Sequence, residues 1–245
     1  MGLLKVRNVL LITRRELAAY FSTLSGYLII AGVLFLDGLL FNAFAMAGTA
    51  KRSSEALADF FYYSSGSTMF CAILLSMRLI AEERQSGTLS LLYSSPVRDV
   101  EIVLGKFFSS LLFLMLFLAT TLYMPALIWA YGKVSLGHLF SGYLGLFLLG
   151  SATLAIGTFG SALTKSQVLA AILSGVMVLA LVICWLVARV ADRPLSDVFT
   201  GLAVYGHFKP FEQGLVHLKH VSYFVFVTYL GLFAATRVLE GRRWR

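Results

Sequence analysis

Six apolar runs of 19 to 25 residues, at 24–46, 60–80, 107–129, 139–163, 168–190 and 221–239, occupy more than half of this 245-residue chain. About 20 predominantly apolar residues in a helix cross the hydrocarbon core of a bilayer. Within lipid every backbone N–H and C=O must find its partner inside the spanning structure, which leaves helices and closed barrels. The runs are continuous and lack the period-2 alternation of barrel strands, so each predicts a transmembrane helix. Charged residues make up 13% of the chain and the mean hydropathy is +0.84. Soluble domains carry about 25% charged residues. The expected fold is all-α: one polytopic bundle over 1–245 with no room for a large soluble domain.

The basic residues set the direction. With the amino terminus on the cytoplasmic side, thirteen Lys and Arg fall inside, among them Lys5, Arg7, Arg14, Arg15, Arg78, Arg84, Arg98 and Lys106, and seven fall outside. Positive charge favours the cytoplasmic side, so both termini are expected there. The net charge of +8 is spread singly or in pairs at the ends of apolar runs. That placement is topological and argues against nucleic acid as a partner.

The first twenty residues hold Lys5, Arg7, Arg14, Arg15 and Glu16, so they lack the uninterrupted apolar core of a cleavable signal. The first long run is expected to act as an uncleaved signal anchor. Ahead of it, Leu3, Val6, Leu10, Leu17 and Phe21 recur at helical spacing, away from Lys5, Asn8, Arg15 and Glu16. This stripe predicts an amphipathic helix over 1–23 lying in the inner interface of the bilayer. At the far end Trp244, with Arg242, Arg243 and Arg245, reads as an interfacial anchor.

Several features inside the runs invite interpretation. Asp37 lies mid-span, where a charge costs at least ~2.5 kcal/mol on insertion scales; a structural role and a transport role both remain open. The second run opens with Tyr62, Tyr63, Ser64, Ser65, Gly66, Ser67 and Thr68. These hydroxyls read either as helix-to-helix hydrogen bonding or as the lining of a substrate passage. Small residues four apart (Ser151 with Ala155, Gly157 with Ser161, Ala171 with Gly175) predict close helix contacts, within one subunit or across a dimer. Pro125 predicts a kink near the end of the third run. Cys71 and Cys184 both fall inside apolar runs and read as buried thiols. The external segment 191–220 contains a short apolar stretch at 198–204, too short to span, which predicts interfacial or re-entrant helices. His217 and His220 sit three apart there without a clear third ligand, so a metal is not expected.

The most telling interruption is the polar block EERQSGTLSLLYSSP at 82–96, between the second and third runs. Glu82, Glu83 and Arg84 extend the second helix beyond the membrane. Ser86, Gly87 and Thr88 then break it, and Thr88 is placed to cap a short new helix carrying Leu89, Leu91 and Leu92. Ser94, Ser95 and Pro96 form a turn, after which Asp99 and Glu101 lead through Gly105 and Lys106 into the third run. Leucines on such a projection require a partner groove.

This block, continued as VRDVEIVLGKF to residue 107, resembles the permease subunits of ATP-binding-cassette (ABC) transporters of the type-2 export family. The resemblance extends through the amphipathic leading helix, the six-span plan, the long external segment and the VLEGRRWR terminus, and is strongest toward the gliding-motility-associated branch. It implies that segment 82–106 is a cytoplasmic coupling element. Glu82, Glu83, Arg84, Gly87, Thr88, Leu89, Leu91 and Leu92 would then meet a nucleotide-binding subunit. It further implies a second permease copy or paralogue, a bacterial inner-membrane location, ATP and Mg on the partner ATPase, and the possibility of envelope accessory proteins. No appended periplasmic domain is expected.

The chain is not expected to be an enzyme or to bind a cofactor itself. A phosphate loop reads G-x-x-x-x-G-K-[ST]; the nearest approach, GSALTKS at 160–166, has Thr164 before Lys165 and ends a membrane helix. Two alternatives stand beside the exporter reading. One is a proton- or ion-coupled secondary transporter using Asp37 and Asp59, which finds no support in interrupted helices or an internal repeat. The other is a non-transporting membrane assembly factor.

Overall fold

The computed structural model describes residues 2–46, 52–88, 97–193 and 195–243. Leu89, Leu91 and Leu92, the turn through Pro96, and the terminal Trp244 lie outside the described residues. Within them the chain is helical and contains no strand. Helix α1 (Gly2–Ser22) precedes α2 (Leu24–Leu40), which continues as a π-helical segment, Phe41–Met46. Then come α3 (Ser53–Ser76), the single-turn α4 (Ala81–Gln85), α5 (Asp99–Thr120) and α6 (Tyr123–Tyr131). The remainder is α7 (Leu136–Leu163), α8 (Gln167–Val190), α9 (Leu195–Leu202), α10 (Val204–Glu212) and α11 (Leu218–Arg243).

Among the described residues six segments are long and apolar enough to cross a membrane: Leu24–Phe44, Ser53–Gln85, Asp99–Ala130, Leu136–Leu163, Gln167–Val190 and Leu218–Gly241. The protein is a polytopic helical bundle. The third segment is broken between α5 and α6 at Thr121 and Leu122. Pro125 has no N–H to offer, and its ring would clash with the Thr121 carbonyl of an unbroken helix. Thr121 turns its hydroxyl to the Leu118 carbonyl and to Tyr143 Oη at 3.1 Å, so the break is hydrogen-bonded.

Helix α7, about 42 Å long at 1.5 Å per residue, is the axis of the bundle. It packs on α3, α5, α8, α10 and α11. It touches so many neighbours because its faces are paved with small residues. A Cβ at Gly142 would overlap the Phe61 ring, and one at Gly157 would overlap Ser76 Oγ. The spaces are filled by Phe60, Phe61, Phe117, Phe208, Phe211 and Phe224, all buried. Of the small-residue pairs, Ser151, Ala155, Gly157 and Ser161 are used up inside this subunit: Ala155 backbone lies against Gly231, and Ser161 Oγ accepts the N–H groups of Ile80 and Ala81 at 3.1 and 3.0 Å. Gly175 has open space beyond it. A smaller apolar cluster, Leu79, Ile80, Val103, Ala162, Ala235 and Leu239, closes the end of the bundle that carries α4.

At the opposite end α9 and α10 form two short helices within segment 191–220. His220 pairs with His207, ring nitrogen to ring nitrogen at 2.9 Å. His207 Nε2 faces the Gly201 carbonyl at 3.2 Å. A carbonyl only accepts, so Nε2 carries the proton, Nδ1 is the acceptor, and His220 Nδ1–H donates. Burial pushes the His207 imidazole below its ordinary range, which preserves this neutral pairing. No group of three or more His, Cys, Asp or Glu that could hold a metal occurs among the described residues.

Candidate functional site

The polar residues at the α4 end are assembled into one structure by three helices. Lys106, in the second turn of α5, is 2% exposed. Its Nζ lies 3.2 Å from Glu16 Oε1 of α1 and 2.9 Å from Glu83 Oε1 of α4. Arg15 closes the arrangement from outside, its Nη2 2.9 Å from Glu16 Oε1 and 3.6 Å from Glu83 Oε1. Two cations and two carboxylates thus alternate. Removing one charge from water costs several kcal/mol, and only such mutual pairing offsets that. Among the described residues Glu83 Oε2 has no hydrogen-bond partner. Glu83 borders a cavity of about 160 Å³ that Tyr20, Arg78 and Glu82 also line, large enough for water.

Around this core the same helices are tied at every turn. Arg78 grips Glu82 through Nε and Nη2, each at 3.0 Å, and its Nη1 donates to Ser25 Oγ on α2. Arg84 Nη1 donates to the Thr164 carbonyl, where α7 ends, at 3.1 Å. Glu101 accepts from the Arg98 backbone N–H at 3.3 Å, capping α5, and from Asn8 Nδ2 of α1 at 3.2 Å. An acidic cap at a helix N-terminus also satisfies its dipole. Gly105 lets α1 approach: a Cβ there would stand 2.7 Å from Ile12. One turn further, Tyr20 Oη donates to the Leu75 carbonyl at 3.2 Å and pairs with Ser110 Oγ at 3.0 Å. Burial pushes this phenol up to about 12, so it keeps its proton at any physiological pH.

Helix α1 therefore turns Asn8, Ile12, Thr13, Glu16 and Tyr20 toward the protein. Val6 and Leu10 point outward, 63% and 64% exposed. Arg7, Arg14 and Arg15 are exposed as well, so the outward side combines apolar and basic side chains, as suits a helix at the boundary between acyl chains and headgroups.

Of the residues expected to meet a partner, Glu83 is one of the four members of the charged cluster, Arg84 is anchored to α7, and Glu82 is held by Arg78. Gly87 adopts φ +74°, a left-handed conformation suited to glycine, at the turn that ends α4. Thr88 Oγ1 pairs with Ser86 Oγ at 2.8 Å. The structure thus describes the root of the 82–92 segment, and its leucines lie outside the described residues.

The hydroxyl-rich start of the second span is divided between two surroundings. Ser64 and Ser67 donate to Asp37 Oδ1 at 3.0 and 2.8 Å, and Asp37 is 1% exposed. Thr68 is buried with its methyl against Gly150 of α7. Tyr62, Tyr63, Ser65 and Ser67 border a cavity of about 470 Å³ between α2, α3, α8 and α10. The sequence places Arg15 and Glu16 on the polar face of the leading helix and Lys106 at the end of the coupling segment, without bringing them together. The available signal was Lys106 itself, placed directly against a long apolar run after a glycine.

A family model described as "ABC-2 family transporter protein" matches residues 21–207. A search of curated proteins finds no match.

Proposed function

The chain belongs to the ABC-2 transporter family, which makes it a membrane transport subunit, and on that premise we propose that it couples ATP hydrolysis on a separate nucleotide-binding chain to export of a substrate. In this reading segment 82–92 docks on the ATPase, both termini face the cytoplasm, and ATP and Mg reside on the partner. The single observation that carries it is the alternating cluster of Arg15, Glu16, Glu83 and Lys106. It fixes the root of the docking segment to α5, a spanning helix, and to α1. A projection meant only to recruit a protein has no need of a buried, charge-paired attachment to a transmembrane helix. Displacement of the docked segment then shifts the balance between two packings of the bundle.

Asp37 does not favour the ion-coupled alternative. Its carboxyl is already engaged by Ser64 and Ser67 and does not border the neighbouring cavity. Within the family we propose the gliding-motility-associated branch, which the sequence resembles most. A second permease copy, identical or paralogous, would complete the passage.

The test is co-purification with a candidate ABC ATPase subunit co-expressed with this chain, followed by hydrolysis measurements in lipid. Leu91→Asp should detach or uncouple the ATPase while the bundle stays folded. Glu83→Lys should uncouple it by placing a second cation beside Lys106. Full coupling in both variants would defeat the proposal.

A further inference from the structure

We propose that the His207–His220 pair is an acid-operated latch, fastening α9 and α10 to α11 while at most one ring is charged and releasing them when both are. It lies at the opposite end of the bundle from the coupling root and is independent of the ATPase-coupling reading. Its parts converge from three helices. His207, in the first turn of α10, is 7% exposed. Its Nε2–H donates to the Gly201 carbonyl of α9 at 3.2 Å, and its Nδ1 accepts from His220 Nδ1–H of α11 at 2.9 Å. Tyr223, three residues after His220 and so on the same side of α11, lies flat against the His207 ring, with the ring centres 3.9 Å apart. Tyr223 Oη donates to the Leu202 carbonyl at 2.7 Å. Gly201 and Leu202 close α9, where backbone carbonyls have no partner within the helix. Two rings of α11 therefore serve both short helices: Tyr223 caps α9 and His220 holds α10.

Proton counting sets the behaviour. A first proton goes to His220 Nε2, which makes no hydrogen bond among the described residues. The bond to His207 survives this, now from a charged donor. A second proton can only land on His207 Nδ1, and two N–H groups then face each other. The Tyr223 face still accepts a charged ring, but His207 has lost its acceptor and the tie to α11 breaks. Burial already holds the His207 imidazole below its ordinary 6.5. The tie is therefore complete above pH 6.5 and is lost as pH falls through the lowered value. No neighbour shelters the second charge. The titratable or charged groups facing the pair are His217, whose ring centre lies 5.9 Å from that of His220, and Lys219. From α8, Cys184 faces Tyr223. Among the described residues none of these is a carboxylate. Release is local, because α10 stays pinned to α7: Phe208 and Phe211 fill the space that a Cβ at Gly145 would need. The end of α9 and its junction with α10 come loose.

Hydrogen–deuterium exchange of the whole chain in phosphatidylcholine nanodiscs tests this, over a series from about pH 7.5 to about pH 4.5. It is read on peptides covering residues 199–206 and corrected for the intrinsic pH dependence of amide exchange. Both faces of a nanodisc meet the buffer, so the outcome does not depend on which side of the membrane this end occupies. The wild type should exchange about tenfold faster at the acid end, as the loss of one hydrogen bond allows, while peptides of α7 keep their protection. His207→Gln cannot titrate and should make residues 199–206 insensitive to pH. Lys219→Gln, an exposed change, removes a cation that opposes protonation and should move the transition to higher pH. Equal protection across the series in the wild type, a transition that persists in His207→Gln, one that Lys219→Gln leaves in place, or loosening of α7 at the same pH would each overturn the proposal.

Discussion

Replacing Lys106 by Met tests the charged cluster most directly, because Met keeps an unbranched apolar stem of matching length and lacks the ammonium. At 2.9 and 3.2 Å, with an effective dielectric near 20, Lys106 attracts Glu83 and Glu16 by ~6 and ~5 kcal/mol. Most of that gross attraction is offset by the desolvation of three buried charges. Deleting one partner leaves two carboxylates facing each other with only Arg15 between them, and breaking a buried pair in this way costs about 3–5 kcal/mol. Adding Glu83→Gln to Lys106→Met removes the stranded charge. The double variant should therefore be more stable than the sum of the single effects by about 1–3 kcal/mol. The assay is equilibrium unfolding in mixed micelles, followed by tryptophan fluorescence, for the wild type, both single variants and the double variant. Additivity within about 0.5 kcal/mol would mean that the residues are neighbours without being a unit, and the argument from the cluster would fail.

Two further outcomes are expected. Ser161→Ala removes the only hydroxyl that receives both the Ile80 and Ala81 N–H groups, so it should lower stability by about 1–3 kcal/mol for each stranded donor; an effect below 0.5 kcal/mol in the same unfolding assay would contradict the geometry. Burial pushes the Glu212 carboxyl up to about 7 from its ordinary 4.5. The folded state therefore holds a proton that the unfolded state has released, and the stabilisation present below pH 4.5 is lost as pH rises to 7. Melting curves should show the wild type losing stability across that window relative to Glu212→Gln; parallel curves would refute it.

The bundle was legible because lipid imposes one rule on every span: long apolar runs with their backbone closed internally. The kink after Thr120 was legible for the same kind of reason, since Pro125 acts locally. The π-helical segment at Phe41–Met46 carried no comparable signal. Its sequence, FNAFAM, holds no Pro or Gly to mark a distortion. The site was half legible. Glu83 and Arg84 stood out as charges beside an apolar run, but their partners, Lys106 and the Thr164 carbonyl, are 23 and 80 residues away. No periodicity reports pairing over such separations. Ser64, Ser67 and Asp37 show the same limit: three polar positions were visible, and their convergence was not. The inward polar face of α1 was hidden because an amphipathic stripe does not say whether lipid or protein receives each side.

The bond from Arg84 to the Thr164 carbonyl has a mechanical corollary. Any load applied near residues 83 and 84 enters the spanning bundle through two ports, one at the foot of α5 and one at the foot of α7, while Arg15 passes part of it to α1. These are the two helices most deeply enclosed by their neighbours, so they would travel as a pair, like pistons on one crank. Helix α8, largely bare along its length, is free to stay behind, and the seam between it and the moving pair is where the bundle would part.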